Sequence, residues 1–152
     1  MNVDGVVNLE QGLIGLGAVV RNEKGEVLAT ATWRHIFPND VEFVEALTIY
    51  EGLKLALSVR LHPLLIESDS KNMVDLILGK SKSFYEIRWL NSKIQAVTNV
   101  VRCLVQFVPK ACNMVADRLT KLALLYPDNC VWLEEAPLEL DSLLYTDVVS
   151  YC

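Results

Sequence analysis

Several features that would point to other kinds of protein are missing from this chain. Its four cysteines, Cys103, Cys112, Cys130 and Cys152, show no CxxC spacing. That removes a common zinc pattern, and reduced thiols are expected where no secretory context exists. Histidine occurs only at His35 and His62, both near element ends, so neither is placed as a general base. No apolar run reaches the roughly 18–20 residues that a membrane-crossing helix needs. The opening Met1-Asn-Val-Asp4-Gly5 lacks the basic-then-apolar pattern of a secretory signal. An intracellular protein without membrane contact is the expectation. Lysine and arginine are absent from Asp128 onward, where six acidic residues lie, while residues 1–127 carry 14 basic and 13 acidic ones. The net charge of −5 therefore belongs to the tail. Bulk electrostatic grip on a polyanion is not supported.

What is present is a folded composition. The 152 residues are 52% hydrophobic and 22% charged, enough for one domain with a sizeable core. Repeats, linkers and low-complexity tracts are absent. Met1 to Val7, Leu13 to Val20 and Glu26 to Trp33 read as three successive strands. The last two are joined by the polar stretch Arg21-Asn-Glu-Lys-Gly25, with glycine where a hairpin needs positive φ. A long helix is predicted over residues 41–59, then an apolar strand at 63–67. Helices follow at about 70–78 and 84–97, a strand at 101–108 and a helix at 112–124. The order βββαβααβα predicts an α/β fold, a five-stranded mixed sheet with antiparallel first three strands and helices on both faces. Residues 1–126 form the expected domain, and 127–152 an acidic C-terminal extension packed on it or trailing it.

Four carboxylates at element edges are the most informative residues: Asp4, Glu45, Asp69 and Asp117. Three have ordinary explanations when taken singly. Asp69 stands at a strand-to-helix junction, where helix caps are common. Asp117 lies near the positive end of its helix, and Asp4 beside Gly5 suits a turn. Glu45 is different, because it shares a helix face with Ile49, Gly52 and Ala56. Small and apolar residues on one stripe mark the face packed against the sheet. A carboxylate there is costly unless it is paired or bound to a metal. Acidic groups gathered from distant positions suit a hard divalent cation such as Mg²⁺ or Mn²⁺. Two such ions can stabilise both the attacking and the leaving oxygen in phosphodiester hydrolysis.

The words Asn2-Val-Asp4-Gly5, Gly15-Leu-Gly-Ala-Val-Val-Arg21-Asn and Val44-Glu45-Ala-Leu occur in this order. Ile66-Glu-Ser-Asp69-Ser, Asn113-Met-Val-Ala-Asp117-Arg-Leu119 and Val131-Trp132 follow. Together they resemble a ribonuclease H type 1 domain, in the plant reverse-transcriptase-like branch related to retrotransposon polyproteins. The resemblance implies a ribonuclease H-like fold and a nuclease that hydrolyses the RNA strand of RNA–DNA hybrids. It implies two Mg²⁺ ions, Mn²⁺ being possible, on Asp4, Glu45, Asp69 and Asp117. The products would be a 5′-phosphate and a 3′-hydroxyl. The chain departs from the family pattern in a short first strand, no catalytic-loop histidine and no basic substrate-binding handle. The nearest basic cluster is Lys71, Lys80, Lys82, Arg88 and Lys93. Candidate nucleic-acid contacts are Gly5, Gly15, Ser70, Lys71, Asn72 and Asn113, and a monomer is expected. The alternative is a catalytically weak or inactive module of the same fold, binding nucleic acid or a protein partner.

Overall fold

The computed structural model describes residues 1–82 and 87–149, without the side chains of 147–149. Three antiparallel strands open the fold: β1 (Asn2–Asn8), β2 (Leu13–Arg21) and β3 (Val27–Ile36). The β2–β3 turn is held by Asn22, whose Oδ1 accepts from the Lys24 and Glu26 amides at 3.0 Å each. Gly25 there takes a φ of 80°, a conformation open to glycine at little cost. Helix α1 (Val41–Ser58) begins where Asp40 accepts the Phe43 amide at 3.2 Å, an N-cap. β4 (Leu64–Ser68), α2 (Lys71–Ile77), α3 (Arg88–Val101), β5 (Cys103–Phe107) and α4 (Met114–Leu125) follow. β4 pairs parallel with both β1 and β5, which places the N-terminal strand centrally.

The expected sheet of five strands is one short. Cys130–Leu133 forms β6, antiparallel to β3, and the order is β5-β4-β1-β2-β3-β6. Four residues carry too little alternation to stand out from a loop in the sequence. A fifth helix, α5 (Asp141–Val149), follows. The predicted strand at 101–108 begins late. Helix α3 runs through Val101, and Arg102 ends it at φ 51°. The start proposed for that helix at Phe84 lies outside the described residues. Cys112 is disulfide-bonded, against the expectation of reduced thiols, whereas Cys103 and Cys130 are free. Among the described residues no helix is long and apolar enough to cross a membrane.

Two glycines show why α1 and α4 lie on opposite faces of the sheet. A Cβ on Gly5 would stand 2.7 Å from Thr48 Oγ1 and 3.0 Å from Val44 of α1. A Cβ on Gly17 would stand 2.6 Å from Leu119 Cβ and 2.9 Å from the Ala116 carbonyl of α4. Asp4 pairs directly with Gly17, and opposed residues of an antiparallel pair point to the same face. Asp4 therefore emerges on the α4 side, towards the start of that helix. The larger core lies on the α1 side, with Ile14, Leu16, Ile49, Leu53 and Ile66. A smaller one joins Val19, Val115, Leu119 and Leu122 to Leu140.

Candidate active site

Each of the four carboxylates is delivered by a different element. Asp4 lies in β1, Glu45 near the start of α1, Asp69 just beyond β4, and Asp117 in the first turn of α4. Asp4 is buried, with 8% of its surface exposed, and accepts the Gly5 amide at 2.9 Å. Burial, then the charges of Asp69 and Asp117, raise its pKa to about 7. Glu45 is half-buried on the face that also carries Ile49, Gly52 and Ala56, all three buried. Burial, then the charges of Asp4 and Asp69, push its pKa up to about 8. Lys110 offsets only part of this, so Asp4 and Glu45 hold their protons near neutrality.

Asp69 is not a helix cap. Ser70 is the N-cap of α2, and Asp69 Oδ1 accepts a hydrogen bond from Asn113 Nδ2 at 3.2 Å. Asn113 stands at the N-cap of α4 but makes no side-chain cap. Its amide instead donates to the Val3 carbonyl at 2.8 Å and to Asp69. One side chain therefore ties β1, the end of β4 and the start of α4 together. Asn113 is 1% exposed and its Oδ1 has no hydrogen-bond partner.

Two lysines that sequence reasoning missed complete the surroundings. Lys121 Nζ donates to Asp117 Oδ2 at 2.6 Å, and Lys110 Nζ lies 3.5 Å from Asp117 Oδ1. Burial alone would raise the Asp117 pKa. Lys121 and Lys110 outweigh it, so that carboxyl stays below its ordinary value. Lys110 is raised in turn by Asp117 first and then by Asp4. Lys121, four residues after Asp117 on one helix, is an ordinary i,i+4 pair and was legible. Lys110, in the loop where a catalytic histidine was sought, carried no such signal.

The other predicted contact residues divide by position. Ser70 is half-buried, and Lys71 and Asn72 are exposed at the start of α2 beside Asp69. Gly5 is occupied by its packing against α1, and Gly15 lies buried beneath Thr120, Ala123 and Leu124 of α4. Of the basic cluster, Lys93 sits 5.0 Å over the Trp89 ring and 6.0 Å over Tyr50.

The donor set suits a hard divalent cation: four carboxylates, of which Asp4 and Glu45 are raised by burial and then by the charge of acidic neighbours, Asp69 among them. As the side chains stand, no group of three or more His, Cys, Asp or Glu among the described residues is arranged to hold a metal ion. Fit is therefore one of chemistry and neighbourhood, with the ligating distances not preformed.

A sequence profile of the family described as reverse transcriptase-like matches residues 2–123. Among solved structures, the N-terminal RNase H domain of a Mycobacterium tuberculosis protein is 27% identical, with a TM-score of 0.69 over 80% of this chain and 89% of that one. The RNase H1 of Halobacterium salinarum is 18% identical, with a TM-score of 0.73 over 81% and 94%. LC11-RNase H1 in complex with an RNA/DNA hybrid is 20% identical, with a TM-score of 0.71 over 80% and 93%. No curated protein matches the chain.

Proposed function

The chain belongs to the reverse transcriptase-like family and has the ribonuclease H fold, and from that premise we propose that it is a metal-dependent endonuclease that cleaves the RNA strand of RNA–DNA hybrids. The observation that carries this reading is the nearness of Asp4, Glu45 and Asp69 at one end of the sheet, where Asp4 and Glu45 both feel the charge of Asp69. Packing alone has no use for three such groups together, and a bound cation would offset them. Asp4, Glu45 and Asp69 would hold or bridge two Mg²⁺ or Mn²⁺ ions, and Asp117 would complete the set on the nucleophile's side. Such ions, when bound, activate water and neutralise charge on the departing 3′ oxygen. The protein's own contribution is placement. Asn113 fixes the Asp69 carboxylate against β1, and Lys110 adds a positive group beside Asp117. Ser70, Lys71 and Asn72 lie where a substrate strand would pass the end of β4. Short polar groups there can report a 2′-hydroxyl by hydrogen bonding, and Lys71 can meet phosphate without sequence preference.

A second reading is a catalytically weak module that binds nucleic acid or a protein. The ion pairs that hold Asp117 to Lys110 and Lys121 favour it, since they engage one ligand already. Incubation with a labelled RNA–DNA hybrid and with duplex DNA, in Mg²⁺ or chelator, separates the two. The enzyme cleaves the hybrid alone, only with metal, and Asp69→Asn abolishes cleavage. Equal or absent cleavage in every sample sinks the nuclease reading.

A further inference from the structure

Residues beyond Leu125 lie outside the family match at 2–123, and they form a surface of their own. β6 pairs with β3, with Trp132 opposite Thr30. Thr30 Oγ1 donates to the Glu135 carbonyl at 3.1 Å, and Arg34 donates to the Pro127 carbonyl at 2.9 Å. Leu140 is fully buried against Val19, Val115, Leu119 and Leu122. The segment is thus fastened at four points. Between them lies a notch of about 560 Å³ lined by Tyr126, Trp132, Pro137, Leu138, Glu135 and Glu139.

Its chemistry is aromatic and acidic. The Tyr126 and Trp132 rings stand 6.0 Å apart at 55°. Tyr126 Oη donates to Glu139 Oε1 at 3.2 Å, which holds that carboxylate at the rim. Glu135 and Glu139 are both exposed, and Leu138 is 82% exposed beside them. The aromatic surface around Tyr50 and Trp89 is covered by the protein's own Lys54 and Lys93. Among the described residues no such contact falls on Tyr126 or Trp132, and from Asp128 onward the chain has no lysine or arginine to supply one.

We propose that this notch receives an arginine side chain from a partner protein segment. A guanidinium stacks on an aromatic face while its N–H groups meet carboxylates, and its planar fork suits two acids better than an ammonium does. The negative charge of the surrounding segment draws a basic peptide and repels nucleic acid. The exposed Leu138 offers apolar contact to a neighbouring residue of such a segment.

A capped peptide with two arginines spaced by glycine serves as probe, titrated against the full chain while the Trp132 indole N–H is followed by NMR. A lysine analogue, a citrulline analogue and a single-stranded RNA are run beside it. The arginine peptide is expected to shift the Trp132 signal saturably, the lysine peptide to bind several-fold more weakly and the citrulline peptide at least tenfold more weakly. The double variant Glu135→Gln with Glu139→Gln, at exposed positions that folding does not need, is expected to weaken binding at least tenfold. Trp132→Leu removes the stacking face together with the NMR signal, so its binding is read by fluorescence anisotropy of the labelled arginine peptide and is expected to weaken likewise, with hybrid cleavage unchanged in both variants. An unmoved Trp132 signal, equal binding of arginine and citrulline peptides, wild-type binding by the glutamine variant, or the same shift produced by RNA would overturn the proposal. Its fate is separate from that of the nuclease reading, which the cleavage assay decides alone.

Discussion

Asp4 and Glu45 hold protons more tightly in the folded chain than in the unfolded one, because burial and their acidic neighbours disfavour the charged forms. The sign of the pH effect follows. Their contribution to stability is whole below about pH 4 and is lost as pH rises through about 7 and then 8. One pK unit corresponds to about 1.4 kcal/mol, so the loss is on the order of a few kcal/mol. Thermal melts in chelator from pH 5 to 8.5 are expected to show a falling Tm, and added Mg²⁺ to restore it most at the alkaline end. A flat profile would mean that neither burial nor acidic neighbours raise the two carboxyls. Asp4→Asn is expected to raise the Tm of the metal-free protein at pH 8 by a few degrees while hybrid cleavage falls at least a hundredfold. Asn113→Ala should leave Asp69 without its 3.2 Å donor and the Val3 carbonyl without its partner. A cost of about 1–3 kcal/mol is expected in urea, with activity reduced more than the folded fraction.

At the scale of elements, close approach decides what the sheet tolerates. Gly17→Ala would set a methyl 2.6 Å from Leu119 Cβ and 2.9 Å from a backbone carbonyl of α4. Neither neighbour is the free end of a flexible chain, so a loss of about 1–3 kcal/mol is expected by denaturant unfolding. Wild-type stability for this variant would show that α4 sits less closely than described. These packing details also mark what was legible beforehand. The apolar runs and the polar Arg21–Gly25 turn announced β1 to β3, and the stripe of Ile49, Gly52 and Ala56 announced the inner face of α1. Glu45 stood out because a charged group interrupted that stripe. Hidden were contacts that cross between elements: Asn113 reaching back to Val3, and Lys110 reaching forward to Asp117. Spacing along a chain predicts neighbours on one helix, whereas these pairs meet only after the sheet has ordered. β6 escaped for a different reason, since its four residues belong to the sheet by pairing with β3.

At the scale of the whole molecule, the segment after α4 is bonded into the fold through β6 and Leu140. Leu140→Ala would open a cavity against Val19, Leu119 and Leu122, with an expected cost of about 2–4 kcal/mol. Because α4 carries Asp117 as well as Leu119, calorimetry and cleavage should be measured together. Lower Tm with unchanged cleavage at low temperature is expected; parallel loss of both would mean that the smaller core also sets the geometry of the site. The order of strands has a further consequence for biosynthesis. The four carboxylates are drawn from positions 4 to 117, and the first of them sits in a central strand that pairs with β4 and packs beneath α4. The ribosome releases Asp4 first and Asp117 last, so a chain stopped at any point before α4 carries an unfinished set. On the proposed function a nascent fragment is therefore inactive, and the capacity to cut a nucleic acid strand would arrive only when translation has passed α4.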